Sequence, residues 1–112
     1  VPKVSKDIEH AFYKLYAFVV TEELPAGWSR DRIIESLAEV GVPCMQGSCS
    51  EVYLERAFDG HPSRPSKSLP AAKTLGETSL MFMVHPTIED DDLALYCEAM
   101  DRIFLEINEL LA

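Results

Sequence analysis

The sequence predicts a two-layer α/β (α+β) domain: a small mixed or antiparallel sheet of about three strands, helices packed on it, and a long helix at the C-terminal end. Three observations carry that expectation. Two runs, His10 to Val20 and Ser79 to Val84, are dense in aromatic, branched and other apolar residues, which suit a pleated surface. Elsewhere apolar residues recur at helical spacing, most clearly from Leu93 to Leu110. Turn residues such as Pro25, Gly27, Gly41 and the pair His85-Pro86 separate these segments.

The totals fit one domain covering residues 1–112. A chain of this length can bury roughly 65% of its unfolded surface, so a core forms without staples. With 47% hydrophobic and 26% charged residues the composition is that of a globular protein. A formal charge of -9 repels nucleic acid and anionic membranes. Acidic neighbours surround or outnumber Arg30 with Arg32, and Arg64 with Lys67, so neither pair makes a basic patch. Cys44, Cys49 and Cys97 make an odd count, which fits free thiols in a reducing compartment better than a disulfide framework. No apolar run approaches the ~18 residues of a membrane span, and no export signal is present. A cytoplasmic location is expected. The first residue is Val, consistent with a processed start or with a piece of a longer polypeptide.

Each element follows from its residues. The first run places Phe12, Tyr16, Phe18 and Val20 on one parity and Tyr13, Leu15, Ala17 and Val19 on the other, with Lys14 as its charged residue. A strand apolar on both faces has to be covered on both, so a second partner surface is expected. Ser29 is placed to cap a helix in which Ile33, Ile34, Leu37 and Val40 share a stripe and Gly41 ends the pattern. "VPCMQG" reads as a short strand, and Pro43 puts it at an edge or just after a bend. "SCSE", Ser48 to Glu51, matches a capping box and predicts a short helix with Leu54, Ala57 and Phe58 facing inward. Asp59 to Ser68 is loop by composition. Ser68 and Pro70 open another short helix through Leu75, closed near Gly76. After the third strand, Thr87 is the expected N-cap of the last helix, and Glu89, Asp90, Asp91 and Asp92 load its first turn where the helix dipole favours negative charge. Leu93, Tyr96, Met100, Ile103, Ile107 and Leu110 then form one apolar stripe of about five turns.

Chemistry-bearing residues are sparse. Cys44, Cys49, His61 and His85 lack the spacing of a zinc site, so no metal is expected. Cys49 with His85 or His61 as base would need an adjacency that the sequence does not display. Gly47 to Ser50 offers amides and hydroxyls at a helix start, a geometry for an anion as well as for plain capping, but it lacks the P-loop pattern and its lysine. His85 at a strand end is more commonly structural than catalytic. No lysine has the setting of a Schiff-base residue, with Lys14 on the first strand the one partial exception.

Taken in order, "HAFYKLYAFV", "RDRIIESLAEVGVPC" and "LPAAKTLGETSLMFMVHPTIEDDDLALYCEAMDRI" resemble the C-terminal small domain of the DegT/DnrJ/StrS sugar aminotransferases, pyridoxal-phosphate enzymes of the aspartate-aminotransferase fold. The resemblance runs from about residue 10 to residue 106. It rests on Tyr13-Lys14, Arg30 to Val42, Pro70 to Leu75 and His85-Pro86-Thr87 in that order. Two departures stand out: "LMFMVHPT" replaces a strand end closer to "LPLHPT", and "MQGSCSEVYLE" replaces a segment that commonly carries a Tyr and a "PLH" near the substrate. No residue here matches that His, so only the location carries over.

The resemblance implies that Gly47 to Tyr53 faces the substrate mouth, with Ser48, Ser50, Glu51 and Tyr53 as polar candidates and His85 beside them. It implies no catalytic residue within this chain. Pyridoxal phosphate would be bound mainly by a large N-terminal domain outside the chain, and the parent, expected to be a homodimer, would move an amino group, commonly from glutamate, onto a nucleotide-linked keto-sugar for surface polysaccharide. The chain by itself would be inactive and would help to close and shape the site. The rival class is a non-catalytic α/β module that binds a ligand or dimerises.

Overall fold

A computed structural model describes residues 4–47 and 49–112. The elements follow in the order β1 (Lys14–Phe18), α1 (Arg30–Glu39), β2 (Cys44–Gln46), α2 (Pro70–Thr78), β3 (Ser79–Met83) and α3 (Asp90–Leu111), with 3₁₀ turns at Thr21–Glu23, Val52–Leu54 and Arg56–Phe58. The three strands form one antiparallel sheet in the order β1-β3-β2. Of the two sheet types the sequence allowed, the antiparallel one is present. β3, the strand apolar at nearly every position, takes the centre, and β2, preceded by Pro43, takes an edge.

Local chemistry sets most boundaries. Ser29 accepts a hydrogen bond from the Arg32 amide at 3.1 Å and so starts α1. Gly41 follows α1 with φ +81, a conformation that costs glycine little. β1 is shorter than the apolar run that contains it. Phe12 takes φ +43, and its amide donates to His10 Nδ1 at 2.9 Å. The chain therefore turns out of the ladder before Tyr13, whose carbonyl accepts the last bond from the Val84 amide at 3.1 Å.

Other expectations are corrected. No α-helix follows "SCSE": two 3₁₀ turns occupy the stretch, Leu54 and Ala57 are exposed, Phe58 is half-buried, and Tyr53 is the residue that faces inward. Glu51 makes no capping bond there, because its carboxylate is engaged elsewhere; Ser48 lies outside the described residues. α2 does not close near Gly76 but continues to Thr78. α3 is not capped by Thr87. It begins at Asp90, with Asp92 Oδ2 accepting from the Glu89 amide at 3.0 Å, while the Thr87 amide donates to His85 Nδ1 at 3.3 Å. The acids of that first turn, Asp90 to Asp92, are placed as expected.

The core joins one sheet face to α1 and α3. Ile33 and Leu37 from α1 pack with Val42, Cys44 and Leu80, and Ala99, Ile103 and Ile107 of α3 close over them. The stripe of α3 is buried only in its middle; Tyr96 and Met100 are half-buried, and Leu93 and Leu110 are exposed. Length explains this. A helix of 22 residues spans about 33 Å, whereas a strand of 5 residues spans about 17 Å, so both helix ends overhang the sheet.

The molecule is open for its mass. Its radius of gyration is 17.0 Å, against about 13 Å for a compact chain of this length. Its accessible surface is 8511 Å², against about 6200 Å² for a compact monomer. The overhang yields a stability contrast. Leu37→Ala, at a position with no exposed surface, should lose about 3 kcal/mol of unfolding free energy by urea titration. Leu110→Ala, on the overhanging end, should lose less than about 0.5 kcal/mol.

Candidate functional site

A polar corner forms where α1 begins, β2 ends, and α2 runs into β3. Arg30 organises it. Its side chain is buried, with 6% of the residue exposed, although it stands at the first position of a helix, where the dipole disfavours a cation. Carbonyl oxygens compensate. One terminal nitrogen of Arg30 donates to the Gly76 and Ser79 carbonyls, both at 2.9 Å, and Nε donates to Asp31 Oδ1 at 2.7 Å. Gln46 Nε2 donates to the same Asp31 oxygen at 3.2 Å, so the end of β2 joins the network. Hydrogen bonds to a charged donor are worth about 1.5–3 kcal/mol each, more than an exposed ion pair with Asp31 contributes.

Two glycines let the backbones close in around this network. A Cβ on Gly47 would collide with Ser79 Oγ and lie 2.9 Å from Ser79 Cβ; Ser79 is itself buried, so no room can be made. A Cβ on Gly76 would collide with Ser50 Oγ. Gly76 therefore sits inside α2, where its missing side chain leaves room for Ser50.

Beside the corner lies a second hydrogen-bonded group. Tyr53 is 8% exposed. Its hydroxyl donates to Glu51 Oε1 at 2.7 Å and accepts from the Leu69 amide at 2.8 Å. Ser68 Oγ donates to the same Glu51 oxygen at 2.7 Å. Leu69 is the N-cap of α2 and offers no capping side chain, so the Tyr53 hydroxyl serves that free helix-end amide. Hydrogen bonds from Tyr53, then Ser68, hold the Glu51 carboxyl below its ordinary value of 4.5.

The residues singled out from sequence are thus divided. Ser50, Glu51 and Tyr53 lie at the end of β2, which pairs with Leu80 at the start of β3. His85 follows the other end of β3, about 17 Å along the strand. It is exposed and bonded to Thr87, with Nδ1 and Oγ1 2.8 Å apart. His85 also lines an apolar groove of 540 Å³ between the sheet and α3, with Leu15, Phe82, Ile88, Tyr96 and Met100. Burial pushes the Cys44 thiol up, whereas Cys49 and Cys97 are exposed. Among the described residues, no group of three or more His, Cys, Asp or Glu is arranged to hold a metal ion, and no helix is long and apolar enough to cross a membrane.

Sequence reasoning singled out Glu51 and Tyr53 but missed the role of Arg30 and the bond that joins Ser68 to Glu51. A cation at the first position of a capped helix was an available signal for Arg30, because it runs against the dipole and needs another partner. Nothing in the spacing of Glu51 and Ser68 links them; a long loop separates them.

Comparison with known proteins places this geometry. The fold superposes on the X-ray structure of the aminotransferase from Psychrobacter cryohalolentis with a TM-score of 0.86 and 54% sequence identity, over 89% of this chain and 25% of that one. This chain is similar to part of an aminotransferase. It spans a quarter of the length of the aminotransferase it matches. No family model and no curated protein matches it. As an aminotransferase-related domain it keeps the expected small α/β form, with a three-stranded sheet and a long last helix.

Two changes probe the Tyr53 group. Tyr53→Phe should destabilise the fold by about 1 kcal/mol, read as a shift in urea midpoint at unchanged slope. A carboxylate with a depressed folded value stabilises the fold above its unfolded value and loses that contribution as pH falls through the folded one. The stability gap between wild type and Glu51→Gln should therefore be constant near pH 7 and shrink as the pH drops below 4.5, followed by urea titrations across that range.

Proposed function

We propose that this chain is the C-terminal small domain of a pyridoxal-phosphate-dependent aminotransferase of the DegT/DnrJ/StrS type, whose parent enzyme aminates a nucleotide-linked keto-sugar for surface polysaccharide. The observation that carries the aminotransferase part is the 54% identity over 89% of the chain. An identity that high, together with a TM-score of 0.86, supports a relationship closer than a shared architecture. The finer assignment draws on the order of Tyr13-Lys14, Arg30 to Val42, Pro70 to Leu75 and His85-Pro86-Thr87 along the chain.

When bound, pyridoxal phosphate supplies the electron sink for amino transfer. Its lysine needs an enclosed setting, in which the amine is desolvated. Lys6, Lys67 and Lys73 are exposed, and Lys14 is half-buried beside the Tyr13 ring, 5.4 Å from its centroid. These residues do not fit a cofactor pocket, and in this reading the cofactor and its lysine belong to the larger remainder of a homodimeric, cytoplasmic parent, with glutamate as amino donor. The contribution of the small domain is to present a polar rim to the substrate. Cys49 is exposed and Ser50 half-buried on the Gly47-to-Tyr53 segment, behind which Arg30, Tyr53 and the two close-packed glycines hold the backbone. That division suits a site that needs a fixed support beneath adaptable polar contacts.

The test uses the parent polypeptide, obtained by extending the reading frame upstream. It should transfer the amino group of glutamate to a nucleotide-linked keto-sugar. Borohydride should fix pyridoxal phosphate to a lysine outside the present residues, identified by peptide mass spectrometry. Stoichiometric fixation on Lys14 or any other lysine of this chain would reject the division of labour. Activity confined to small keto acids would reject the sugar substrate. Ser50→Ala in the parent should raise KM for the sugar nucleotide by roughly three- to tenfold, the worth of one neutral hydrogen bond, with kcat little changed. An unaltered KM with reduced thermal stability would reduce Ser50 to packing against Gly76.

A further inference from the structure

We propose that Ser68 is a positioning residue of the parent aminotransferase: through the Glu51 carboxylate it holds the Gly47-to-Tyr53 segment where the sugar nucleotide meets it. This rests on the reading of that segment as a polar rim for the substrate. It adds a residue, outside the segment, that sets the place of the rim.

The segment leans on α2 at two points. At one, Ser50 Oγ occupies the space that a Cβ on Gly76 would need. At the other, the Tyr53 hydroxyl accepts from the Leu69 amide at 2.8 Å. About 10 Å of helix axis separates Leu69 from Gly76. The helix is itself anchored, because the Gly76 carbonyl accepts from Arg30 at 2.9 Å. Glu51 stands between these points, and two hydroxyls donate to its Oε1, each at 2.7 Å. The two bonds do different things. Tyr53 belongs to the segment, so its bond fixes the segment against itself. Ser68 precedes the N-cap Leu69 of α2, so its bond fixes Glu51 against the helix.

The stretch that joins Tyr53 to Ser68 cannot supply this restraint. Its backbone bonds are local, reaching three residues back: Asp59 to Arg56, His61 to Phe58, Arg64 to His61. They shape the stretch and place neither of its ends. A surface loop of this kind stays compact when its ends are drawn together, and the Ser68 bond draws them together. Stability is a weak reason for that bond. Ser68 is exposed, so its hydroxyl trades water for Glu51 and adds modestly to folding. Position is a stronger reason, since groups that contact a substrate have to be held to about 0.5 Å by neighbours behind them.

Steady-state kinetics and thermal melting of the parent holoenzyme test this. The probes are a panel of uridine-, thymidine- and guanosine-diphosphate-linked keto-sugars, with glutamate as donor. For a panel member that the parent aminates, Ser68→Ala should raise KM for the sugar nucleotide about threefold, with kcat and KM for glutamate little changed. Ser68→Thr keeps the hydroxyl and should restore the wild-type KM. In a Glu51→Ala background, Ser68→Ala should raise KM no further, because the acceptor through which Ser68 acts is already gone. A KM unmoved by Ser68→Ala overturns the proposal and leaves the aminotransferase reading intact. So does a rise that Ser68→Thr fails to reverse, or one that adds to that of Glu51→Ala. A lower melting temperature with KM unmoved confines Ser68 to the start of α2 and also overturns it. A parent that aminates no member of the panel overturns the sugar-aminotransferase reading, and the proposal with it.

Discussion

The buried guanidinium of Arg30 is the constraint on which the rest of this fold is arranged. One nitrogen reaches two carbonyls, Gly76 in α2 and Ser79 at the start of β3, and a second reaches Asp31, which also holds Gln46 of β2. Four elements therefore meet through one side chain. A cation this well buried has to be surrounded by acceptors, and the acceptors here are mainly backbone oxygens whose positions the fold supplies. The arrangement is reciprocal: Arg30 fixes where α2 gives way to β3, and the carbonyls of that junction take the place of water around its guanidinium. Gly47 and Gly76 are consequences, since any larger residue would push apart the segments that the guanidinium draws together.

A division between buried and open residues follows. Tyr53 and Arg30 are buried and hydrogen-bonded, whereas Ser50 is half-buried and Cys49 exposed. The Glu51 carboxylate, in turn, is occupied by Tyr53 and Ser68. The tie between Glu51, Tyr53 and the Leu69 amide gives α2 a defined beginning in a place where its own N-cap residue has no polar side chain. A segment that would otherwise be a long mobile loop is thereby fastened at both ends.

Much of this was legible in the sequence, for identifiable reasons. The α1 cap at Ser29, the existence of β3 and the edge place of β2 follow from side-chain chemistry within a few residues, which is what local patterns encode. The 3₁₀ turns after Ser50, the start of α3 at Asp90 and the role of Gly76 were misread because tertiary partners decided them. Glu51 satisfied a capping pattern in sequence, yet Tyr53 and Ser68 compete for its carboxylate in space. Thr87 had the character of an N-cap, yet its amide and hydroxyl both turn to His85. The apolar stripe of α3 was correct in period and wrong in extent, because periodicity carries no information about how long the opposing sheet is.

The strand order has a consequence for how the chain comes into being. β1 and β2 each pair with β3 and not with each other, and β3 is the last of the three to be synthesised. Until Ser79–Met83 leaves the ribosome, two apolar strands wait with their side chains exposed to water and no ladder to join. Closing the long loop from β1 to β3 is entropically slow. Nascent chains of this domain thus pass through a sticky interval, and the late arrival of one five-residue strand sets when that interval ends.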